Sequence, residues 1–315
     1  MAKHVLVTGG AGFIGSHVAD LYLARGYQVT VLDNLSSGRR ENVPAGAAFV
    51  EADVRSPEAR ALLAAGGFTV LNHHAAQMDV RVSVQNPGFD ADVNLLGLLN
   101  LLEGARAGGV ARVVFASSGG VVYGESAALP HPETAPKLPV SPYGVSKLAS
   151  EFYLAQYAIL YGMVVRSLRY ANVYGPRQSP HGEAGVVAIF GSRLRNRKAI
   201  TVYGDGMQTR DYVFVGDVAR ANLMATEAPA AAPTGIDVLA FNVGTGIETS
   251  VNGLAQAMMA ATGIEVPMIN APARPGELQR SSVDPGKAAG MGWTPQVTLA
   301  DGLRQTYEWI ARVTA

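Results

Sequence analysis

Thr8-Gly9-Gly10-Ala11-Gly12-Phe13-Ile14-Gly15 lies between an apolar run, Val5-Leu6-Val7, and an amphipathic stretch, Phe13 to Arg25. A strand that enters a glycine-rich turn and leaves as a helix is the phosphate-binding start of a doubly wound α/β sheet. The glycines satisfy Gly-x-Gly-x-x-Gly from Gly10 and Gly-x-x-Gly-x-x-Gly from Gly9. Glycine there permits the tight turn, lets a pyrophosphate approach the backbone, and lets the helix pack on the strand. The helix N-terminus adds free N–H groups and the positive end of a dipole. Dinucleotide contacts are therefore expected at Gly9, Gly12, Phe13, Ile14 and Gly15.

The pattern continues outward from this turn. Gln28 to Leu32 alternates like a strand and ends at Asp33. A carboxylate at that strand end accepts hydrogen bonds from both adenosine ribose hydroxyls and repels a 2′-phosphate, which favours NAD over NADP. Arg39 and Arg40 weaken that preference slightly. Ala48 to Glu51 leads to Asp53-Val54, placed to border the adenine, although Asp53 could instead cap a helix ahead of Ser56-Pro57. Thr69 to His73 leads to Ala75-Ala76-Gln77, where small residues let a cofactor pass close to the backbone. His73 and His74 point to opposite faces of a strand and have no suitably spaced ligands, so no metal site is expected. Leucines at helical spacing mark Asp90 to Ala107. Arg112 to Ser117, a helix from Tyr143 to Tyr161, and the strand Val164 to Leu168 complete the alternation. Strand–helix alternation implies a parallel sheet with right-handed crossovers and helices on both faces.

The second half is broken by proline and glycine, with helices expected at 185–196, 217–225, 251–262 and 300–312. The change of texture near residue 170 divides a dinucleotide-binding domain, residues 1–170, from a smaller mixed α/β domain at 171–211 and 247–315. Residues 212–246 are expected to return to the first domain. The 25 basic and 25 acidic side chains balance. That argues against nucleic acid or an anionic membrane as the main partner. There is no cysteine, which excludes disulfides and thiolate chemistry. No signal peptide precedes the first strand pattern, and no apolar run reaches spanning length. A soluble cytoplasmic protein is expected.

Tyr143-Gly-Val-Ser-Lys147 places a phenol and an ammonium one helical turn apart. A free phenol ionises near pH 10 and is a poor base at neutral pH. A fixed positive charge beside it favours the phenolate, making the pair a proton acceptor and donor for an alcohol. Ser117-Ser118-Gly119-Gly120 closes the fifth strand, at the sheet edge where ligands bind. A serine hydroxyl there can hold a reacting oxygen, or simply cap a turn.

The glycine turn, the serine strand end and Tyr143-x-x-x-Lys147 together resemble the extended short-chain dehydrogenase/reductase family. Arg169-Tyr170-Ala171-Asn172-Val173-Tyr174-Gly175-Pro176, the segment Gly204 to Tyr212, and Arg274-Pro275-Gly276-Glu277 narrow the resemblance to its nucleotide-sugar branch, the UDP-glucose 4-epimerase family, over nearly the whole chain. The resemblance implies a Rossmann-type fold, NAD as cofactor, a UDP-sugar substrate and a homodimer formed through helices 90–107 and 143–161. It makes Ser118 the catalytic hydroxyl, Tyr143 the base and Lys147 its modulator. Counting back from Val122-Tyr123-Gly124 gives Gly119 at the serine position, whereas counting forward from Phe115 gives Ser118. Ser117 is the fallback.

Asn34, Ser37, Gly38, Asn94, Ser117 and Tyr170 join the expected cofactor contacts, with Lys147 at the nicotinamide ribose. Arg210 and Arg274 are expected at the diphosphate, where guanidinium forks match phosphate oxygens. Asn172, Val187, Tyr203, Glu277 and Ser281 are expected around the sugar nucleotide. Dehydratases of the family carry an acidic pair beside the catalytic hydroxyl, and decarboxylases keep a glutamate. Gly119-Gly120 can supply neither acid nor base, so epimerisation at C4 is the expected reaction. Met78 stands where some relatives carry lysine near the nicotinamide. Ser281, at a position that gates sugar size, leaves room for an N-acetyl group.

Overall fold

The computed structural model describes residues 3–125, 128–180, 185–273 and 278–313. Seven parallel strands form the main sheet: β1 (His4–Thr8), β2 (Gln28–Asp33), β3 (Ala48–Glu51), β4 (Val70–His73), β5 (Arg112–Ser118), β6 (Val164–Tyr170) and β7 (Ala240–Val243). Their order is β7-β6-β5-β4-β1-β2-β3. The order reverses between β1 and β4, which opens a crevice at their carboxyl ends.

Alternation along the strands sends side chains to two different cores. Leu6, Leu32, Leu71, Val113 and Phe115 pack beneath Leu98, Leu101, Leu102 and Leu154 on one face. Val5, Val7, Val29 and Val31 pack against Val18, Ala19, Tyr22 and Leu223 on the other. Helices 57–64, 97–107 and 142–161 thus cover one side, and helices 13–24 and 215–227 the other.

The segment expected as one helix from Asp90 to Ala107 is interrupted. Helix Pro87–Ala91 passes through a π turn, Asp92–Leu96, before Gly97–Ala107 continues. Such wide turns recur at functional sites. β7 was not resolved as a strand by its sequence pattern, although residues 212–246 were expected to rejoin the first half.

The smaller layer is built on Thr209–Phe214, which pairs with Asn172–Tyr174, Glu248–Ser250 and Arg280–Ser281. Ile200–Tyr203 pairs with Met268–Ala271 in a second, two-stranded sheet. A separate core of Tyr174, Val187, Phe190, Leu194, Leu254 and Leu303 stabilises this layer. Asp217 ties it down, because its carboxylate accepts the Gln296 and Val297 N–H groups at 3.1 Å each. Among the described residues no helix is long and apolar enough to cross a membrane.

Candidate active site

The glycine turn is built for close approach. Gly9 has φ +67°, and a Cβ there would lie 2.6 Å from the Ala75 nitrogen. A Cβ on Gly15 would lie 2.3 Å from the Gly9 carbonyl oxygen. Gly12 is the N-cap of helix Phe13–Ala24 and makes no side-chain cap bond, so the first N–H groups of that helix are open to an anion. Asp33 is buried and accepts the backbone N–H of Ala11 at 3.0 Å and of Leu35 at 2.9 Å. Asn34 and Ser37 are exposed beside it, and a Cβ on Gly38 would lie 3.0 Å from Asp33 Oδ1. These residues fit a pyrophosphate and an adenosine ribose. The two arginines that follow this strand end are directed elsewhere: the Arg40 guanidinium lies 3.8 Å over the Phe49 ring, and Arg39 pairs with Glu41.

Asp53 caps no helix; Ser56 caps Pro57–Ala64 instead. The Asp53 carboxylate accepts from Arg55 and, at 2.9 Å, from Asn34 Nδ2. The bonds from Arg55 outweigh desolvation and hold this carboxyl well below its usual range. Val54 is buried against Gly97 and contributes packing.

β4 and β5 deliver the chemistry. The alternation of β5 sends its two terminal serines in different directions. Ser117 is buried and donates to Glu151 Oε1 at 2.5 Å. Ser118 is half-buried, and the space at Gly120 separates its Oγ from Asn172 Oδ1, which lie 3.8 and 3.9 Å from where a Cβ would stand. The Ser117 side chain is therefore withdrawn from cofactor and substrate alike, a correction to both roles expected of it. A Cβ on Gly119 would lie 2.7 Å from Val283 Cγ1, so the smaller layer presses directly on this turn.

Helix Pro142–Tyr161 begins with Pro142 in its first turn and a Ser141 cap donated to by Gly144 N–H. Gly144 abuts the Val121 carbonyl, which brings Tyr143 to the serine turn. Lys147 is buried and donates to the Ala116 carbonyl at 2.8 Å. Its ammonium lies 5.7 Å from the Tyr143 ring centroid and 4.7 Å from that of Phe115. Burial pulls the amine down to about 8, so it is still mostly protonated at neutral pH.

Tyr143 departs from expectation. Burial, reinforced by the Asp90 carboxylate, pushes its phenol up from the ordinary value. The single ammonium one turn away does not offset these two effects, so the protein alone keeps the phenol protonated at neutral pH. Among the described residues nothing hydrogen-bonds its hydroxyl.

His73 accepts or donates at Thr8 Oγ1 (2.7 Å) and stacks on Phe115, while His74 stacks on Tyr170 across the sheet. Burial, helped by Lys147, pulls both imidazoles down to about 3, so neither is a cationic acid at working pH. Among the described residues no cluster could hold a metal ion.

Asn94 sits in the π turn, accepting the Gln77 N–H and donating to the Gln77 carbonyl, both at 2.9 Å. Ala75 and Ala76 line the turn above it, half-buried. Tyr170 does not open onto the cleft. It is buried, and its hydroxyl accepts from Asn222 at 2.8 Å. Val187 likewise belongs to the core of the smaller layer at 1% exposure, because it falls on the inner face of helix Val186–Arg195. Ser281 lies beside Arg210 on adjacent strands, while Tyr203 stands on the separate two-stranded sheet, its carbonyl accepting Gln208 Nε2 at 2.9 Å. Arg274 and Glu277 lie outside the described residues.

Two carboxylates escaped the sequence reading. Glu151 stands one turn beyond Lys147 on the same helix face, a spacing that could have flagged it. Asp90 is a fully buried acid in the short helix Pro87–Ala91, a burial that its local sequence does not reveal.

A seven-stranded parallel sheet, a glycine turn closed by Asp33, and a serine, tyrosine and lysine at one strand end define a dinucleotide-dependent short-chain enzyme. The chain belongs to the NAD dependent epimerase/dehydratase family, whose model matches residues 5–244. It is 46% identical over 310 residues to the UDP-glucose 4-epimerase of Mycolicibacterium smegmatis, covering 96% of this chain and 97% of that one. Two solved structures are similar throughout. The Thermotoga maritima UDP-glucose 4-epimerase with UDP-glucose has a TM-score of 0.94 at 43% identity, covering 99% of this chain and 100% of that one. The Thermus thermophilus UDP-glucose 4-epimerase complex with NAD has a TM-score of 0.92 at 46% identity, with the same coverage.

Proposed function

We propose that the protein is an NAD-dependent 4-epimerase of UDP-hexoses, interconverting UDP-glucose and UDP-galactose. The observation that carries this reading is the grouping of Ser118, Tyr143 and Lys147 at the end of β5, beside a dinucleotide cradle and with only glycine where an added acid would stand. Bound NAD would supply the acceptor and later donor of a hydride at sugar C4, together with a positive charge near Tyr143.

The cradle from Gly9 to Gly15 would hold the pyrophosphate and Asp33 the adenosine ribose. Tyr143 takes the proton of the 4-hydroxyl and returns it. Ser118 donates to the same oxygen while charge develops there. Lys147 keeps a cation beneath the tyrosine. Epimerisation requires the oxidised sugar to present its other face, so the nucleotide must be gripped and the sugar held loosely. Arg210 is the described candidate for the grip, with Tyr203 and Asn172 beside the sugar nucleotide.

The purified protein, incubated with UDP-sugars and no added NAD, is expected to interconvert UDP-glucose and UDP-galactose by NMR. Failure to convert either sugar would sink the reading. Ser281 carries a small side chain at the position that the resemblance makes the gate on sugar size, so UDP-N-acetylglucosamine is expected to be accepted too. Complete inactivity on that sugar would refute the point.

A homodimer accompanies this reading. Val145, Phe152 and Ile159 form an apolar stripe on helix Pro142–Tyr161, with exposures of 53, 58 and 62%. Leu96 is 56% exposed on the neighbouring π turn. A self-complementary face of this kind is closed by a second copy about a two-fold axis. Sedimentation velocity should give a dimer, and Phe152→Glu a monomer. A monomeric wild type at micromolar concentration rules this out.

A further inference from the structure

Asp90 is a carboxylate with 0% exposure, and none of its hydrogen-bond partners is charged. Ser146 Oγ donates to Oδ2 at 2.6 Å. Gln77 Nε2 and Asn94 Nδ2 each donate to Oδ1 at 3.0 Å. Asn94 in turn clamps both backbone groups of Gln77. Gln77 also closes its own loop, donating to the Asp79 carbonyl at 3.0 Å and accepting the Asp79 N–H at 2.7 Å. One buried acid therefore joins three elements: the segment after β4, the π turn, and the helix that carries Tyr143 and Lys147.

Ser146 is adjacent to Lys147 and three residues after Tyr143. An anchor at Ser146 fixes the rotation of that first helical turn, and hence where both side chains point. A buried anion that accepts only neutral donors also acts on charge. It favours the Lys147 ammonium and opposes the Tyr143 phenolate.

We propose that Asp90 is a positioning residue for the reaction: its carboxylate sets the placement of Tyr143 and Lys147 through Ser146, and serves as the buried counter-charge of Lys147. The inference rests on the proton-transfer role given above to Tyr143. The titratable groups that face this pair among the described residues are Asp90 from helix Pro87–Ala91, Glu151 from the same helix as the pair, and His73 and His74 from the end of β4, the two histidines being neutral.

The signs follow from charge. Removing the anion makes the phenol easier to ionise and the ammonium easier to lose. Both limbs of the kcat–pH profile should move toward acid.

The test compares Asp90→Asn and Ser146→Ala in the NAD-loaded protein. D90N is nearly isosteric and should move both limbs down by about one pH unit. S146A removes a hydrogen bond but no charge. It should lower kcat about tenfold and leave the limbs in place. D90N with unshifted limbs overturns the counter-charge role. S146A with unchanged kcat overturns the positioning role, and this arm stands even if D90N fails to fold. Tyr143→Phe separates the two levels: if that variant still turns over, the proton-transfer reading itself falls, whereas a dead Y143F with an unshifted D90N condemns this inference alone.

Discussion

Tyr143→Phe is expected to lower kcat by about 10²- to 10⁴-fold, the range that positioned acid–base groups contribute. The phenyl ring fills the same space, so the dinucleotide cradle is untouched and bound NAD should remain by absorbance and mass. The change removes the phenol oxygen proposed to take the proton of the 4-hydroxyl. Ser118→Ala should also lower kcat, by less, since it deletes a donor rather than the base. Ser117→Ala serves as the contrast: its hydroxyl faces Glu151, so its effect should appear in stability before kcat. Y143F turnover within a few-fold of wild type would end the mechanism. A larger kcat loss for S117A than for S118A would reverse the assignment of the two serines.

The second large effect concerns stability. Arg169 and Glu151 form an ion pair at 2.6 Å with side-chain exposures of 0 and 1%. The guanidinium also donates to the Tyr123 hydroxyl at 3.0 Å, the Glu133 carbonyl at 2.9 Å and Asp237 Oδ1 at 3.0 Å. Arg169→Leu leaves the Glu151 carboxylate buried without its cation. Such a loss costs roughly 3–5 kcal/mol, measurable by urea unfolding. Adding Glu151→Leu should recover part of the loss, because the stranded charge is then gone. A single-variant loss below about 1 kcal/mol would contradict this account. The pair also accepts Ser117, so it helps turn the end of β5 and leaves Ser118 toward the cleft.

The parallel sheet was legible because strand and helix periods alternate cleanly around the glycine turn. Asp33, the glycines and the Tyr143–Lys147 spacing could be read for the same reason: each is local, and each follows from backbone geometry. What the sequence concealed was long-range. Nothing adjacent to Ser117 indicates that its hydroxyl is claimed by Glu151. Tyr170 lies in a motif and Val187 was expected beside the sugar nucleotide, yet packing turns both inward. The ionisation of Tyr143 departs from expectation because burial, and after it a carboxylate arriving from a different helix, Asp90, oppose the lysine. The π turn that aims Asn94 at Gln77 leaves no mark in a periodic leucine pattern.

The path of the chain has a consequence for inheritance. The polypeptide leaves the main sheet after Tyr170, comes back through Thr209–Phe214 into helix Val215–Glu227 and strand Ala240–Val243, then departs again at Glu248. Segments of the main sheet and of the smaller layer are therefore braided. A gene spliced at one junction near codon 170 would strip the seventh strand and bare an unprotected β edge. New sugar preferences in this lineage should arise by substitution within the braid, rather than by exchanging one lobe for another.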